Sequence, residues 1–439
     1  MEEKNVWQPP QYDLSTPPSI ERTLHITPDP HFVGNFPRVA KWSPDGSNVL
    51  VQCENRDFEI FELSDEKTLD SPTREFSQPG PILDYIWYPT ATPHDPASFC
   101  FVASVRECPV KLLDASDGRL RASYKIVDHR ERQIAPHSLA FNLTAQKLYC
   151  GFEDAIEIFD LSRPGEGTRL HTTPSKKSKD GLKGIISSLA FSPSYSPDEC
   201  FYAAGSFSPI DCNIAMFSDA TEEPLMYVGG GPRAGVTQLQ FNPMKPHLLY
   251  SAYRGCGTGL VYSWDIRSDV GTPLEIFQVS SVSQAKSDVR TNQKIRFDID
   301  MAGRFLSVGD QVGNVSIFDL QTRDEVGDEL HTFPSDSRFI PPVFEFKAHD
   351  DAVGSVAFHP FESSLLSASG SRHFVDDEEL DASDDDLSDT DADSLPHPDG
   401  NSHSRPEESD ARRERRHPVT LDSTLKLWRF GDALNKRHF

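Results

Sequence analysis

A pattern that recurs along most of the chain is the strongest constraint on its fold. Each copy begins with an apolar strand that ends near an aromatic residue, and two further apolar strands follow after turns. In the copy VAKWSPDGSNVLVQCENRDFEIFEL, residues 39–63, Pro44-Asp45-Gly46 and residues 54–57 supply turns between three antiparallel strands. Three short strands alone are only marginally stable, so the copies must pack against one another.

The pattern can be followed through seven copies. Their first strands begin at Val39, Leu83, His137, Ile186, Val236, Gln293 and Val353. Their third strands begin at Phe58, Val110, Ile156, Ile214, Val261, Val315 and Leu425. A spacing of about 45–60 residues, four strands a copy and Trp264-Asp265 at a strand end are typical of WD repeats. The sequence therefore predicts an all-β fold, a seven-bladed WD-repeat β-propeller.

The ring must also close, because a blade buries its apolar faces only against its neighbours. The last copy supplies three strands ending at Phe430, and the apolar run at residues 24–26 is the candidate for the fourth. The predicted organisation is an N-terminal segment with this closing strand at 1–34, the propeller at 35–371, a disordered acidic insertion in the last blade at 372–418, the final strand at 419–430 and a C-terminal tail at 431–439.

Aromatic residues recur at the ends of the first strands, and their repeated phase favours core packing over an exposed stacking platform. They are Trp42, Trp87, Phe141, Phe191, Phe241, Phe297 and Phe358. His349 and Asp422 are placed to brace Trp428 in the last blade, because a buried carboxylate needs hydrogen-bond donors. We interpret this pair as structural rather than catalytic.

The formal net charge of −25 argues against general binding to nucleic acid or anionic membranes, because the average field repels phosphate. Residues 376–410 hold fifteen acidic residues and one Arg, so this stretch carries −14 and the rest of the chain −11. A local basic patch on that moderately acidic body can still bind RNA. No apolar run reaches membrane-spanning length, so we expect no membrane partner.

The insertion at 372–418 is rich in Asp and Ser and poor in apolar residues, so we expect it to be disordered. Ser383, Ser388 and Thr390 each precede acidic residues, a context that suits an acidophilic kinase; a solubilising segment is the alternative. The basic run at residues 412–416 fits nuclear import, RNA contact or neutralisation of the acidic run beside it.

Catalytic and metal-binding signatures are missing from the sequence. It contains no G-x-x-x-x-G-K-[ST], no H-E-x-x-H, no G-x-S-x-G and no C-x-x-C. We therefore expect no enzyme, no cofactor and no metal site, and we interpret the seven cysteines as buried thiols of a reducing compartment. A hydrolase whose carboxylates meet in the central channel is the alternative.

Five stretches from different repeats occur in the order found in one known family. They are VAKWSPDG at Val39, DYIWY at Asp84, LRASY at Leu120, APHSL at Ala135 and TNQKI at Thr291. Through them the chain resembles the telomerase Cajal body WD-repeat protein family, from about Asn35 to the final blade. The resemblance implies an RNA-binding scaffold that recognises small nuclear guide RNAs of the box H/ACA and box C/D types, and telomerase RNA.

The resemblance also implies partners and a location. Expected partners are ribonucleoprotein proteins and a chaperonin for folding, and the expected location is the nucleus, in Cajal bodies or nucleoplasm, with some cytoplasmic protein. The fold alone equally supports a peptide-binding WD-repeat adaptor of a ubiquitin ligase or chromatin complex.

Single-stranded RNA loops are recognised through stacked bases and through Arg or Lys contacts to phosphate, so we expect the site on basic loops of one rim. The candidates are Arg56, Arg106, Lys176, Lys177, Lys183, Arg254, Arg267, Arg290, Lys294 and Arg372. Arg106 and Arg254 are preferred because they lie in predicted turns between second and third strands. For each residue singly, a solvated surface charge is the alternative.

Overall fold

The computed structural model describes residues 8–63, 70–175, 177–178, 180–193, 200–255, 260–280, 293–321, 338–374 and 418–431. Their 29 strands form seven sheets, one for each predicted repeat, and the sheets stand side by side in a ring. The prediction of an all-β, seven-bladed propeller is confirmed. Within these ranges, no helix has the length and apolar character needed to cross a membrane.

In each blade four antiparallel strands follow one another from the central channel outwards. Blade 1 contains β2 (Pro37–Trp42), β3 (Asn48–Cys53), β4 (Asp57–Glu62) and β5 (Arg74–Ser77). Blade 2 contains β6 (Ile82–Trp87), β7 (Cys100–Val105), β8 (Val110–Asp114) and β9 (Leu120–Tyr124). Blade 3 contains β10 (Ser138–Phe141), β11 (Lys147–Phe152), β12 (Ala155–Asp160) and β13 (Thr168–His171).

The next three blades repeat this order. Blade 4 contains β14 (Ile186–Phe191), β15 (Phe201–Ser206), β16 (Ile214–Ser218) and β17 (Pro224–Val228). Blade 5 contains β18 (Val236–Phe241), β19 (Leu248–Tyr253), β20 (Leu260–Asp265), β21 (Glu275–Gln278) and, parallel to β21 at its outer edge, β25 (Phe339–Ile340). Blade 6 contains β22 (Phe297–Ile299), β23 (Phe305–Gly309), β24 (Asn314–Asp319) and β26 (Phe344–Lys347).

The last blade joins the two ends of the described chain. It contains β27 (Val353–Phe358), β28 (Ser364–Ser369), β29 (Thr424–Arg429) and, as its outer strand, β1 (Ser19–His25). β1 pairs antiparallel with β29, from Ser19 opposite Arg429 to His25 opposite Thr424. The run at residues 24–26, proposed from the sequence as the closing strand, overlaps the end of β1.

The closing strand also contributes to the core between the last blade and the first. Leu24 is fully buried in a cluster with Leu366 and Leu425 from blade 7 and Val49 and Phe61 from blade 1. Ring closure therefore buries apolar surface on both sides of the junction and leaves no open edge on β29.

The aromatic residues at the ends of the inner strands pack between blades, as predicted. Phe141, Phe241, Phe297, Phe358 and Trp87 are buried, whereas Trp42 and Phe191 are half-buried. The indole N–H of Trp87 donates to the carbonyl of Lys41 in the preceding blade at 3.1 Å. These aromatic residues are therefore part of the interblade core.

Polar side chains on the inner strands tie each blade to the next along the channel wall. Asp84 in β6 accepts the backbone N–H of Leu139 in β10 at 2.8 Å. Asp298 in β22 accepts that of Phe358 in β27 at 2.8 Å, and Ser188 in β14 accepts an N–H from β18 in the same way. These bonds satisfy donors that an inner edge strand would otherwise turn into the channel.

The predicted brace in blade 7 is present, with one additional member. His349 Nδ1 lies 2.9 Å from Asp422 Oδ2, and His349 Nε2 lies 2.7 Å from the hydroxyl of Ser367. The same hydroxyl accepts the indole N–H of Trp428 at 2.8 Å. Burial lowers the pKa of His349. Burial acts to raise the pKa of Asp422, but hydrogen bonds from His349 and Thr424 hold it well below its usual value.

The two stems of the predicted insertion are fastened to each other. His373 and Val419 exchange two backbone hydrogen bonds of 2.9 Å. The buried carboxylate of Asp351 accepts the hydroxyl of Ser371 at 2.6 Å and the backbone N–H of Leu421 at 3.0 Å. Residues 375–417, with the phosphorylation candidates Ser383, Ser388 and Thr390 and the basic run at 412–416, lie outside the described residues.

Truncation of Leu24 should weaken the ring at its closure. We expect Leu24→Ala to lower the free energy of unfolding by about 2–5 kcal/mol, because it leaves a cavity between blades 7 and 1. Ile20→Ala, on the same strand but 51% exposed, is the matched control and should change little. Urea unfolding followed by tryptophan fluorescence measures both, and equal losses for the two variants would contradict the closure.

The brace should make stability depend on pH. The lowered pKa of His349 means that the unfolded chain binds a proton more readily, so the free energy of unfolding should fall as the pH drops below about 6.5. His349→Asn should flatten this slope between pH 7 and 5, whereas Asp350→Asn, at an exposed neighbouring position, should retain it. Urea unfolding at a series of pH values measures the slope, and an unchanged slope in His349→Asn would count against the assignment.

Candidate nucleic-acid interface

The connections of the propeller divide between two faces. Neighbouring strands in a blade are antiparallel, so the turn between the second and third strands lies on the same side as the start of the inner strand. We call this side the mouth face, because the inner strands begin there around the central channel. The turns after the first and third strands lie on the opposite face.

One rim position recurs in all seven blades, directly after the second strand. Its occupants, in blade order, are Glu54, Arg106, Glu153, Phe207, Arg254, Asp310 and Gly370. In blade 2 the backbone N–H of Arg106 donates to the carbonyl of Pro81 at 2.9 Å, and in blade 5 that of Arg254 donates to Gly235 at 2.8 Å. The turn is thereby fixed against the start of the inner strand, which places these residues around the channel mouth.

Six basic side chains gather where the inner strands begin, and we call them the mouth cluster. They are Arg38, Arg106, His137, Arg254, Lys294 and Arg296. Burial, and then the charge of Arg296, lower the pKa of Lys294 to about 8, although Asp84 acts in the opposite direction. Burial also lowers the pKa of His137, followed by the charges of Lys294 and Arg106. The positive charges are therefore crowded and partly shielded from water.

An aromatic ring lies against two members of the mouth cluster. The guanidinium carbon of Arg254 is 5.1 Å from the centre of the Phe207 ring, and the Lys294 ammonium nitrogen is 5.5 Å from it. Both distances are in the range of cation–π contacts. Phe207 therefore combines with cations from the two following blades on the mouth face.

A buried carboxylate pairs with Arg38 of this cluster and with one further arginine at its edge. Glu54, only 3% exposed, lies 3.3 Å from the guanidinium of Arg38 and also forms an ion pair with Arg372. Arg372 is thus brought beside Arg38 at the junction of blades 7 and 1. The neighbouring turn residue Arg56 is exposed.

The central channel contains a cavity of about 700 Å³ whose lining extends to the opposite face, where residues such as Pro44 and Pro243 follow the inner strands. Lys41 and Asp84 line it 3.6 Å apart, and Asp298 lines it as well. Burial raises the pKa of Asp298 to about 6. Both carboxylates already accept backbone N–H groups of the next blade, so they act as interblade ties. The described part of the chain contains no group of three or more His, Cys, Asp or Glu side chains that could hold a metal ion.

Comparisons with known proteins agree with this architecture. A family model for the WD domain, G-beta repeat, matches residues 340–374. Telomerase Cajal body protein 1 of Rattus norvegicus is 33% identical over 349 residues, which cover 77% of this chain and 60% of that protein. The Drosophila melanogaster homolog is 27% identical over 350 residues, 76% of this chain and 57% of its own. The resemblance to the telomerase Cajal body WD-repeat protein family is therefore confirmed.

The similarity to these proteins has a defined extent. This chain spans about 60% of the length of the rat protein. A differently named relative, guanine nucleotide-binding protein negative regulator 1 of Schizosaccharomyces pombe, is 28% identical over 290 residues, 63% of this chain and 68% of that protein. The propeller is therefore shared with proteins whose names describe different roles, so the fold alone does not determine the ligand.

Most of the described RNA-binding candidates lie on the mouth face. These are Arg56, Arg106, Lys177, Lys183, Arg254, Lys294 and Arg372. Arg267 lies instead on the opposite face, after β20, where its guanidinium pairs with Asp265 at 2.8 Å. Lys176 and Arg290 lie outside the described residues. Only Arg106, Arg254 and Lys294 among the candidates belong to the mouth cluster.

Sequence reasoning missed four residues of this site. Arg38 and Arg296 were not singled out because they lie at the start of inner strands, which were assigned to the core. His137 was included in a first strand for the same reason. Phe207 follows β15 in the run GSFSP, and its equivalence to Arg106 and Arg254 could have been found by aligning the ends of the second strands.

The crowding of charges should be measurable at Lys294. Competitive labelling with trace acetic anhydride and mass spectrometry should give this amine a pKa of about 8, well below the ordinary value of 10.5. Arg296→Gln should raise that pKa, because it removes a neighbouring positive charge, whereas Arg267→Gln on the opposite face should leave it unchanged. A pKa near 10.5 in the unmodified protein would contradict the crowding.

Proposed function

We propose that this chain is a non-catalytic RNA-binding scaffold that recognises guide RNAs of small nuclear ribonucleoproteins through its mouth face. The observation that carries the proposal is the mouth cluster, which concentrates six basic side chains on a chain of net charge −25. A positive site in a negative protein favours a few defined phosphates over polyanions in general. The Phe207 ring beside the cations suits unpaired bases.

The relatives suggest which RNAs the scaffold binds. Their name associates them with telomerase and the Cajal body. For this chain we propose guide RNAs of the box H/ACA and box C/D types and telomerase RNA as ligands. The proposed protein partners are the proteins of those ribonucleoprotein particles and a chaperonin that assists folding. The corresponding location is the nucleus, in Cajal bodies or nucleoplasm, with some cytoplasmic protein. Arg267 remains a candidate contact only for a ligand on the opposite face.

Charge reversal on the two faces tests the site. Arg254 and Arg267 flank the same strand, β20, at opposite ends, so Arg254→Glu and Arg267→Glu form a matched pair. We expect the double variant Arg106→Glu, Arg254→Glu to bind a guide-RNA loop at least about tenfold more weakly. The slope of the logarithm of the binding constant against the logarithm of the salt concentration should fall by about two. Arg267→Glu should change both little, and the melting temperatures should stay close to that of the unmodified protein.

The outcomes separate the proposal from its competitors. Equal losses on both faces would indicate a general charge effect rather than a site on the mouth face. Crosslinking in cells followed by RNA sequencing should enrich guide RNAs that share a loop sequence. Copurified ubiquitin-ligase or chromatin subunits without such RNAs would favour the peptide-binding adaptor instead.

A further inference from the structure

Phe207 is unusual among the seven rim positions. Five of the others carry acidic or basic side chains, and Gly370 carries none; Phe207 has the one apolar side chain. Its backbone is held in place from two sides. Its N–H donates to Ile185 at 2.8 Å, and Gly235 approaches so closely that an added Cβ would lie 2.5 Å from the Phe207 carbonyl oxygen. The ring is therefore presented from a fixed turn.

The ring is half-buried and is accompanied by cations from two other blades. Arg254 lies 5.1 Å and Lys294 5.5 Å from its centre. A phosphate site needs only charge, whereas single-stranded nucleic acid is bound where cations adjoin planar groups. A guanidinium packed on an aromatic ring adds a second plane on which a base can stack.

We propose that Phe207, Arg254 and Lys294 form a base-stacking subsite that takes one unpaired nucleobase of an RNA loop. This inference rests on the proposed function and adds a ligand group to it. The planar faces of Phe207 and Arg254 contact the base, and Lys294 contributes charge for the adjoining phosphate. Such stacking tolerates different bases, so this subsite contributes affinity and orientation. Other contacts to the RNA loop distinguish its sequence.

Two RNA hairpins of equal charge test the subsite. One carries adenines in its loop, and the other carries abasic ribose phosphates at the same positions. Phe207→Leu retains apolar volume but removes the aromatic plane, so it should weaken binding of the adenine loop about 5- to 100-fold and leave the abasic loop unchanged. Phe207→Tyr keeps the plane and should bind like the unmodified protein.

A fluorescent base provides a second readout. With 2-aminopurine in the loop, the unmodified protein should quench the fluorescence on binding, and Phe207→Leu should not. If Phe207→Leu lowers the melting temperature markedly, Arg254→Lys replaces it as the test variant. This variant keeps the charge and loses the guanidinium plane, so it should weaken binding of the adenine loop more than binding of the abasic loop.

Each other outcome overturns the inference in a recognisable way. Unchanged binding and quenching in Phe207→Leu, alongside weakened binding in Arg254→Glu, would remove the subsite and leave the proposed function intact. Equal losses for both hairpins in Phe207→Leu would show that the ring only supports the cations. If the unmodified protein binds neither hairpin nor any guide-RNA loop, the proposed function fails together with the subsite.

Discussion

The pairing of β1 with β29 is the interaction on which the rest of the structure depends. It joins segments from opposite ends of the described chain, and it turns seven marginal sheets into a ring in which every blade is covered on both sides. The mouth cluster depends on it directly, because its members come from five blades and share no local structure. Arg38 in blade 1 and Arg372 in blade 7 meet at Glu54 only because the junction is closed.

Inside the ring, polar contacts between blades satisfy backbone N–H groups that the inner strand of each blade leaves unpaired. The inner strand of a sheet turns unpaired N–H groups towards the channel, and side chains of the preceding blade, such as Asp84, Ser188 and Asp298, accept hydrogen bonds from them. The same channel holds Lys41 and Arg296, so both acidic and basic groups line its wall. Charge at the mouth is thus set by a few positions and is independent of the total charge of the chain.

The fold could be predicted from the sequence because each repeat has local features that can be recognised: alternating apolar residues, turns and aromatic strand ends. Arg106 and Arg254 were accessible for the same reason, since both follow a recognisable second strand. Arg267 shows the limit of this reasoning: it neighbours the same strand as Arg254, but the strand's direction carries it to the other face. Phe207 and Ser367 were missed because their roles arise from contacts between distant segments, with Arg254 and Lys294 in one case and with His349 and Trp428 in the other.

The backbone exchange between His373 and Val419 has an evolutionary consequence. This pair and Asp351 hold both stems together. The entropy of closing a segment between two fixed stems changes only slowly with its length. Residues can be gained or lost there without shifting the register of β29 on β28. Blade 7 thus provides a graft point, where a new segment can be inserted on the mouth face while the ring of seven blades stays unaltered.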